Sequence, residues 1–119
     1  MTTGTALVLS EPLSLWGGID PLTGIIIDAH HPQRGASVAG RVLVMPSGRG
    51  SSSSASVLAE AVRVGTAPVA IVLGEPDLIL AIGAAVSEEL YGARVPVQVV
   101  APHELVAIRD GDALTVDPT

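Results

Sequence analysis

The segment Pro46-Ser-Gly-Arg-Gly-Ser-Ser-Ser-Ser54 gathers most of the groups in this chain that could do chemistry. Gly48 and Gly50 allow the backbone to approach a ligand closely. Arg49 adds a permanent positive charge, and Ser51 to Ser54 add hydroxyls that can donate or, for one of them, act as a base. The hydropathy pattern places the segment between the end of a strand and the start of a helix. There the first backbone N–H groups have no intrahelical partner and the helix dipole is positive. Such a place binds anions, carboxylate or phosphate, without further help.

Known phosphate loops do not fit it. A P-loop needs Gly-Lys-Ser/Thr, and the chain contains no Lys. A dinucleotide fingerprint starting at Gly48 needs a third glycine where Ser53 stands. The nucleophile elbow G-x-S-x-G is absent as well. A plainer reading stands beside the anion site: a surface loop whose serines do no more than cap a helix, a position serine favours.

The elements that must position this loop follow from hydrophobic period and turn residues. Thr5 to Leu9 reads as a strand. The stretch Trp16 to Gly24, marked by Pro21 and Gly24, reads as a turn, and Gly24 to Asp28 as a β-branched strand. Ala29 to Gly35 is a loop, and Val38 to Met45 is a strand stopped by Pro46. The period then becomes helical over Ser52 to Val64, with Gly65 as a stop. Pro68 to Leu73 has the unbroken apolar run of a strand buried on both faces. Asp77 to Leu90 predicts a second helix, Val97 to Val100 a strand, and Ala113 to Val116 a last short strand after the Arg109–Asp112 turn. Strands come first and βαβα alternation second, which predicts one mixed α/β domain over 1–119.

Composition narrows the function. The 119 residues suit a single domain, 48% of them hydrophobic and 2% aromatic, so the core must be built from Ala, Val, Leu and Ile. Six Arg against twelve acids give a net charge of −6, which argues against a nucleic-acid partner. With no Cys, a thiol nucleophile, thiolate zinc and a self-held iron–sulfur cluster are excluded. The uncharged stretches are far shorter than the ~20 residues that span a bilayer, and no secretory signal opens the chain. The expectation is a cytoplasmic protein with no membrane contact. The apolar excess of so small a domain implies surface covered by a partner.

Outside the loop, Asp28, His30 and His31 invite a metal reading. Adjacent side chains on an extended segment point opposite ways, which disfavours one ion held by both histidines, and no metal ligand is assigned. His103 reads as a surface or capping residue. Trp16 is either an interface anchor or a core plug.

The order of these features carries more than any one of them. The turn containing Gly18-Ile-Asp-Pro21 and Gly24, the Asp28-Ala-His-His-Pro32 loop, the Gly40-Arg-Val-Leu-Val-Met-Pro46 strand and Gly48-Arg-Gly-Ser51 resemble the small subunit of aconitase X. The resemblance spans about Ser10 to Asp117. It implies a swivelling β/β/α domain like the mobile fourth domain of the aconitases. It also implies a hydro-lyase active only with a large subunit, in a heterodimer whose iron–sulfur cluster sits on that subunit; no cofactor is expected on this chain. The chain length fits a separate subunit.

By motif alignment Ser51 is the proton acceptor, removing the proton next to a substrate carboxylate as an alkoxide. The same alignment implies that Arg49, Gly50, Ser52 and Ser53 bind the carboxylate or phosphate and that His31 is a neighbour of the active site. A serine is a poor base unless several N–H donors and a cation stabilise its alkoxide. Orthodox aconitases place an Arg directly after the two serines. Here that position is Ser53, so the carboxylate clamp is left to another group, such as an Arg of the large subunit. The family includes a dehydratase of cis-3-hydroxy-L-proline, giving a pyrroline-2-carboxylate, and one of mevalonate 5-phosphate. The Arg-only, Ala- and Gly-rich composition points to a GC-rich bacterial source and so to the first. A non-catalytic module that binds an anion and regulates a partner is the competing class.

Overall fold

The computed structural model describes residues 2–50 and 52–117. Its centre is a five-stranded sheet in the order β6-β5-β4-β1-β7. Strands β1 (Thr2–Val8), β4 (Val42–Met45), β5 (Ala70–Leu73) and β6 (Val97–Val99) run parallel, and β7 (Ala113–Val116) closes the edge antiparallel to β1. Helix α2 (Ser54–Val64) joins β4 to β5, and α3 (Leu78–Tyr91) joins β5 to β6. A second sheet of two short strands, β2 (Ile19–Asp20) and β3 (Ile25–Ile26), follows a single tight turn, α1 (Leu15–Gly18). No helix among the described residues is long and apolar enough to cross a membrane.

The alternation of side chains along the strands explains how both faces of the sheet are buried. Leu7, Leu43, Met45, Ile71 and Leu73 point to the face carrying α2 and α3, where they meet Leu58 and Leu80. Their neighbours Ala6, Val42, Val44, Ala70 and Val72 point to the other face. Large side chains fill the side with two helices, and small ones line the side covered by Leu105 and Ile108. All four residues of β5 are buried, as the unbroken apolar run predicts. Helices α2 and α3 approach closely because Gly83 lies against the backbone of Ala55, where a Cβ would stand 3.0 Å from the Ala55 Cα.

Three expectations need correction. The strand read over Val38 to Met45 begins only at Val42, because Val38 to Arg41 forms a turn closed by the Arg41 N–H to the Val38 carbonyl. The strand read over Gly24 to Asp28 pairs only at Ile25 and Ile26. The segment between β6 and β7 contains a helix, α4 (Pro102–Ala107), which starts with Pro102 in the first turn and a Glu104 carboxylate accepting from the Ala101 N–H. His103 lies exposed on that helix. Trp16 is 58% exposed, so it does not plug the core.

Candidate functional site

The carboxyl ends of the parallel strands deliver their loops to one edge of the molecule, where open α/β sheets bind ligands. Two of those loops meet. The β4–α2 loop carries Gly48, Arg49 and Gly50, and the β5–α3 loop ends at Asp77. Asp77 caps α3: its Oδ1 accepts from the Leu80 N–H at 2.9 Å. Its other carboxylate oxygen lies against Gly48, where any Cβ would collide with it. Glycine at 48 is therefore fixed by contact with the neighbouring helix cap. At Gly50 the reason is conformational, since its φ is +91°.

A third segment holds the loop from behind. The chain after β1 makes a parallel bridge between Leu13 and Gly48. Ser14 follows, and its Oγ donates to the Trp16 carbonyl at 3.0 Å. The Trp16 N–H donates to Ser54 Oγ at 3.2 Å, and Ser54 Oγ lies 3.4 Å from Ser14 Oγ. With the Ser14 proton used on Trp16, the Ser54 hydroxyl completes the network by donating to Ser14. Ser54 is buried and tied inward. Its hydroxyl joins α2 to the α1 turn rather than facing a ligand.

Arg49, Gly50, Ser52 and Ser53 are exposed. Arg49 takes part in none of the ion pairs among the described residues, which belong to Arg41, Arg63 and Arg94. The Ser52 and Ser53 carbonyls accept from Ala55 and Val57, so α2 winds directly out of the serine run. Ser53 opens the helix with helical backbone angles and no side-chain cap bond. Ser51, the base that the family resemblance implies, lies outside the described residues.

His31 is buried. The Gln33 N–H donates to its Nδ1 at 3.0 Å, which leaves Nε2 to carry the proton and donate to the Glu11 carbonyl at 3.1 Å. His30 is exposed, but not on an extended segment as the sequence reading assumed: it lies in a turn closed by the His31 N–H donating to the Asp28 carbonyl. Among the described residues no group of three or more His, Cys, Asp or Glu is placed to hold a metal ion.

The cleft between the glycine loop and α3 has a volume of only about 20 Å³. That is room for about one water. A small carboxylic acid does not fit inside it, so the chain offers an open edge here rather than an enclosed pocket. Two residues important to this edge were not singled out as site residues in the sequence reading, Asp77 and Ser14. Asp77 carried a signal, an Asp before a helical apolar run, but nothing in sequence placed it against Gly48.

Comparison with known proteins gives the architecture its context. The family model of the aconitase X swivel domain matches residues 1–119. A cis-3-hydroxy-L-proline dehydratase from Pseudomonas aeruginosa is 50% identical over 95 residues, which is 80% of this chain and 16% of that protein. The phosphomevalonate dehydratase small subunit of Thermococcus kodakarensis is 44% identical over 85 residues, 71% of this chain and 64% of that one. The chain thus spans about a sixth of the first relative and just under two thirds of the second. The crystal structure of holo-form aconitase X from Thermococcus kodakaraensis superposes with a TM-score of 0.82 at 36% identity, covering 94% of this chain and 79% of that one. The mixed sheet and its flanking helices agree with these matches, and the chain belongs to the aconitase X swivel domain family.

Proposed function

We propose that this chain is the small subunit of an aconitase X-type hydro-lyase and supplies the base for dehydration of a hydroxy acid. The observation that carries the reading is the loop at the α2 N-terminus, with glycines at 48 and 50 and an exposed Arg49 outside any ion pair among the described residues. In this reading the Ser51 alkoxide takes the proton from the carbon bearing the carboxylate and becomes the neutral hydroxyl. The C=C bond forms as the C–O bond on the next carbon breaks, and the departing hydroxide takes a proton from an acid group of the large subunit to leave as water. Arg49 and the Gly50, Ser52 and Ser53 amides stabilise the negative charge of the alkoxide and of the substrate anion. The small volume at the loop supports a shared site that closes between two subunits. Closure excludes water and strengthens each of those interactions.

The iron–sulfur cluster of such an enzyme belongs to the large subunit. The residues of this chain do not suit it, because cluster iron is held by thiolates and the sequence has no Cys. The substrate we favour is cis-3-hydroxy-L-proline, giving a pyrroline-2-carboxylate. The 50% identity to a dehydratase named for that substrate supports it over mevalonate 5-phosphate, whose small-subunit relative stands at 44%. A heterodimer in the cytoplasm, without nucleic acid or membrane, completes the reading.

The test is reconstitution with the large subunit and assay of both substrates, wild type beside Ser51→Ala. Loss of the base is expected to lower kcat by about 10²–10⁴-fold. Turnover of the variant within a few-fold of wild type would remove Ser51 from the mechanism. An intact complex inert towards both substrates would leave the anion-binding regulatory module as the better account.

A further inference from the structure

We infer that His31 is a positioning residue for the glycine loop, acting through the Glu11–Leu13 segment. The two bonds of its ring do different things. The Nδ1 contact with the Gln33 N–H spans two residues and closes only the local turn. The Nε2–H bond to the Glu11 carbonyl spans twenty residues and ties the histidine loop to the segment after β1. Two residues further on, that segment makes the Leu13–Gly48 bridge. Gln33 reinforces the tie one residue earlier, where its Oε1 lies 3.4 Å from both the N and the Oγ of Ser10.

The imidazole therefore stands two steps behind Gly48, buried, with each nitrogen used once. Burial obliges the Nε2–H to find a partner, and the partner the fold supplies is the Glu11 carbonyl, on the segment that braces the loop. A side chain serving only as core filling would need no polar atom at all, since a buried polar group costs stability unless it is bonded. On the other side Gly48 meets the Asp77 carboxylate. The loop is thus fixed between a helix cap and a strand extension, and His31 sets the second of these.

The two bonds can be separated by substitution. His31→Asn keeps an acceptor where Nδ1 stands but is too short to reach Glu11, and asparagine closes such turns readily. His31→Gln keeps a donor where Nε2 stands and gives up the turn bond. In amide spectra of the full chain, His31→Asn is expected to shift the Gly48, Arg49 and Gly50 signals and leave Gln33 near its wild-type position. His31→Gln is expected to do the reverse. The kinetic arm, which rests on the proposed function, expects about a tenfold fall in kcat for the reconstituted complex of His31→Asn, restored towards wild type in His31→Gln.

Equal disturbance of the loop by both variants, or none by His31→Asn, overturns the inference. Loss of the fold in both assigns His31 to general stability and overturns it equally. If the wild-type complex turns over neither substrate, the spectral arm still decides, so failure of the enzymatic reading is distinguishable from failure of this one.

Discussion

The molecule contains two β–loop–α units side by side, and their helices begin differently. At α3 the chain enters extended, and the Asp77 carboxylate closes the helix end by accepting from Leu80. At α2 the chain arrives already helical at Ser53, no side-chain cap bond is made there, and Ser54 turns inward to Trp16 and Ser14. Both ends carry the same positive dipole. One is neutralised by its own carboxylate, while the other is surrounded by exposed serines and Arg49. The lesson is that topology supplies two candidate anion sites and side-chain chemistry closes one of them. The closed end then serves the open one, because the Asp77 carboxylate bounds Gly48.

The comparison can be broken most severely at Gly48. Gly48→Ala drives a Cβ into the Asp77 carboxylate, and the overpacking is expected to destabilise the chain by about 1–3 kcal/mol. If that contact is the cause, an Asp77→Ala background should relieve it. A double-mutant cycle in denaturant should then show coupling of about 1 kcal/mol or more, although Asp77→Ala alone costs about 1 kcal/mol through loss of the cap. Additive effects would mean that the two helix ends are independent.

A smaller effect is expected at the open end. Arg49→Gln removes a charge from an exposed side chain outside the ion pairs among the described residues, so Tm should hold. In the reconstituted complex KM should rise about tenfold, the order of one charge-assisted hydrogen bond. A change in Tm without a change in KM would make Arg49 a structural residue.

The smallest effect lies on the solvent face of α2. Hydrogen bonding to Arg63 holds the Glu60 carboxyl below its ordinary range and raises the Arg63 guanidinium. A lowered folded-state pKa stabilises above the unfolded value and is lost as pH falls through the folded one. The Arg63 and Glu60 side chains are 52% and 40% exposed, so water screens the pair. Glu60→Gln should lower Tm only slightly at pH 7, and that small difference should vanish as a melting series falls below the usual carboxylate range, where the wild-type carboxyl is protonated too.

Much of the scaffold was legible because period and punctuation agree. The apolar run ending in Leu73 gave a buried strand, and Gly65 ends α2 in the left-handed conformation that its sequence position suggests. Val38 to Arg41 misled because the buried Val38 leads into the apolar run of the strand, and the turn through Ala39 and Gly40 interrupts it. Helix α4 was hidden because its only partly buried side chain is Leu105, so six residues show no apolar face. At the site, the loop was readable from its glycines and serines. The roles of Ser54 and Asp77 were not, since each depends on a partner more than 25 residues away.

The sequence by itself determined that this chain holds no thiol chemistry, that its core is aliphatic, and that a glycine–arginine–serine loop joins a strand to a helix. Those are matters of residue type and local order. Tertiary structure decided which helix end stays open, which serine faces inward, and which of two adjacent histidines is buried between Glu11 and Gln33. Each of those outcomes depends on hydrogen-bond partners distant in the chain, and only the folded sheet brings them within reach.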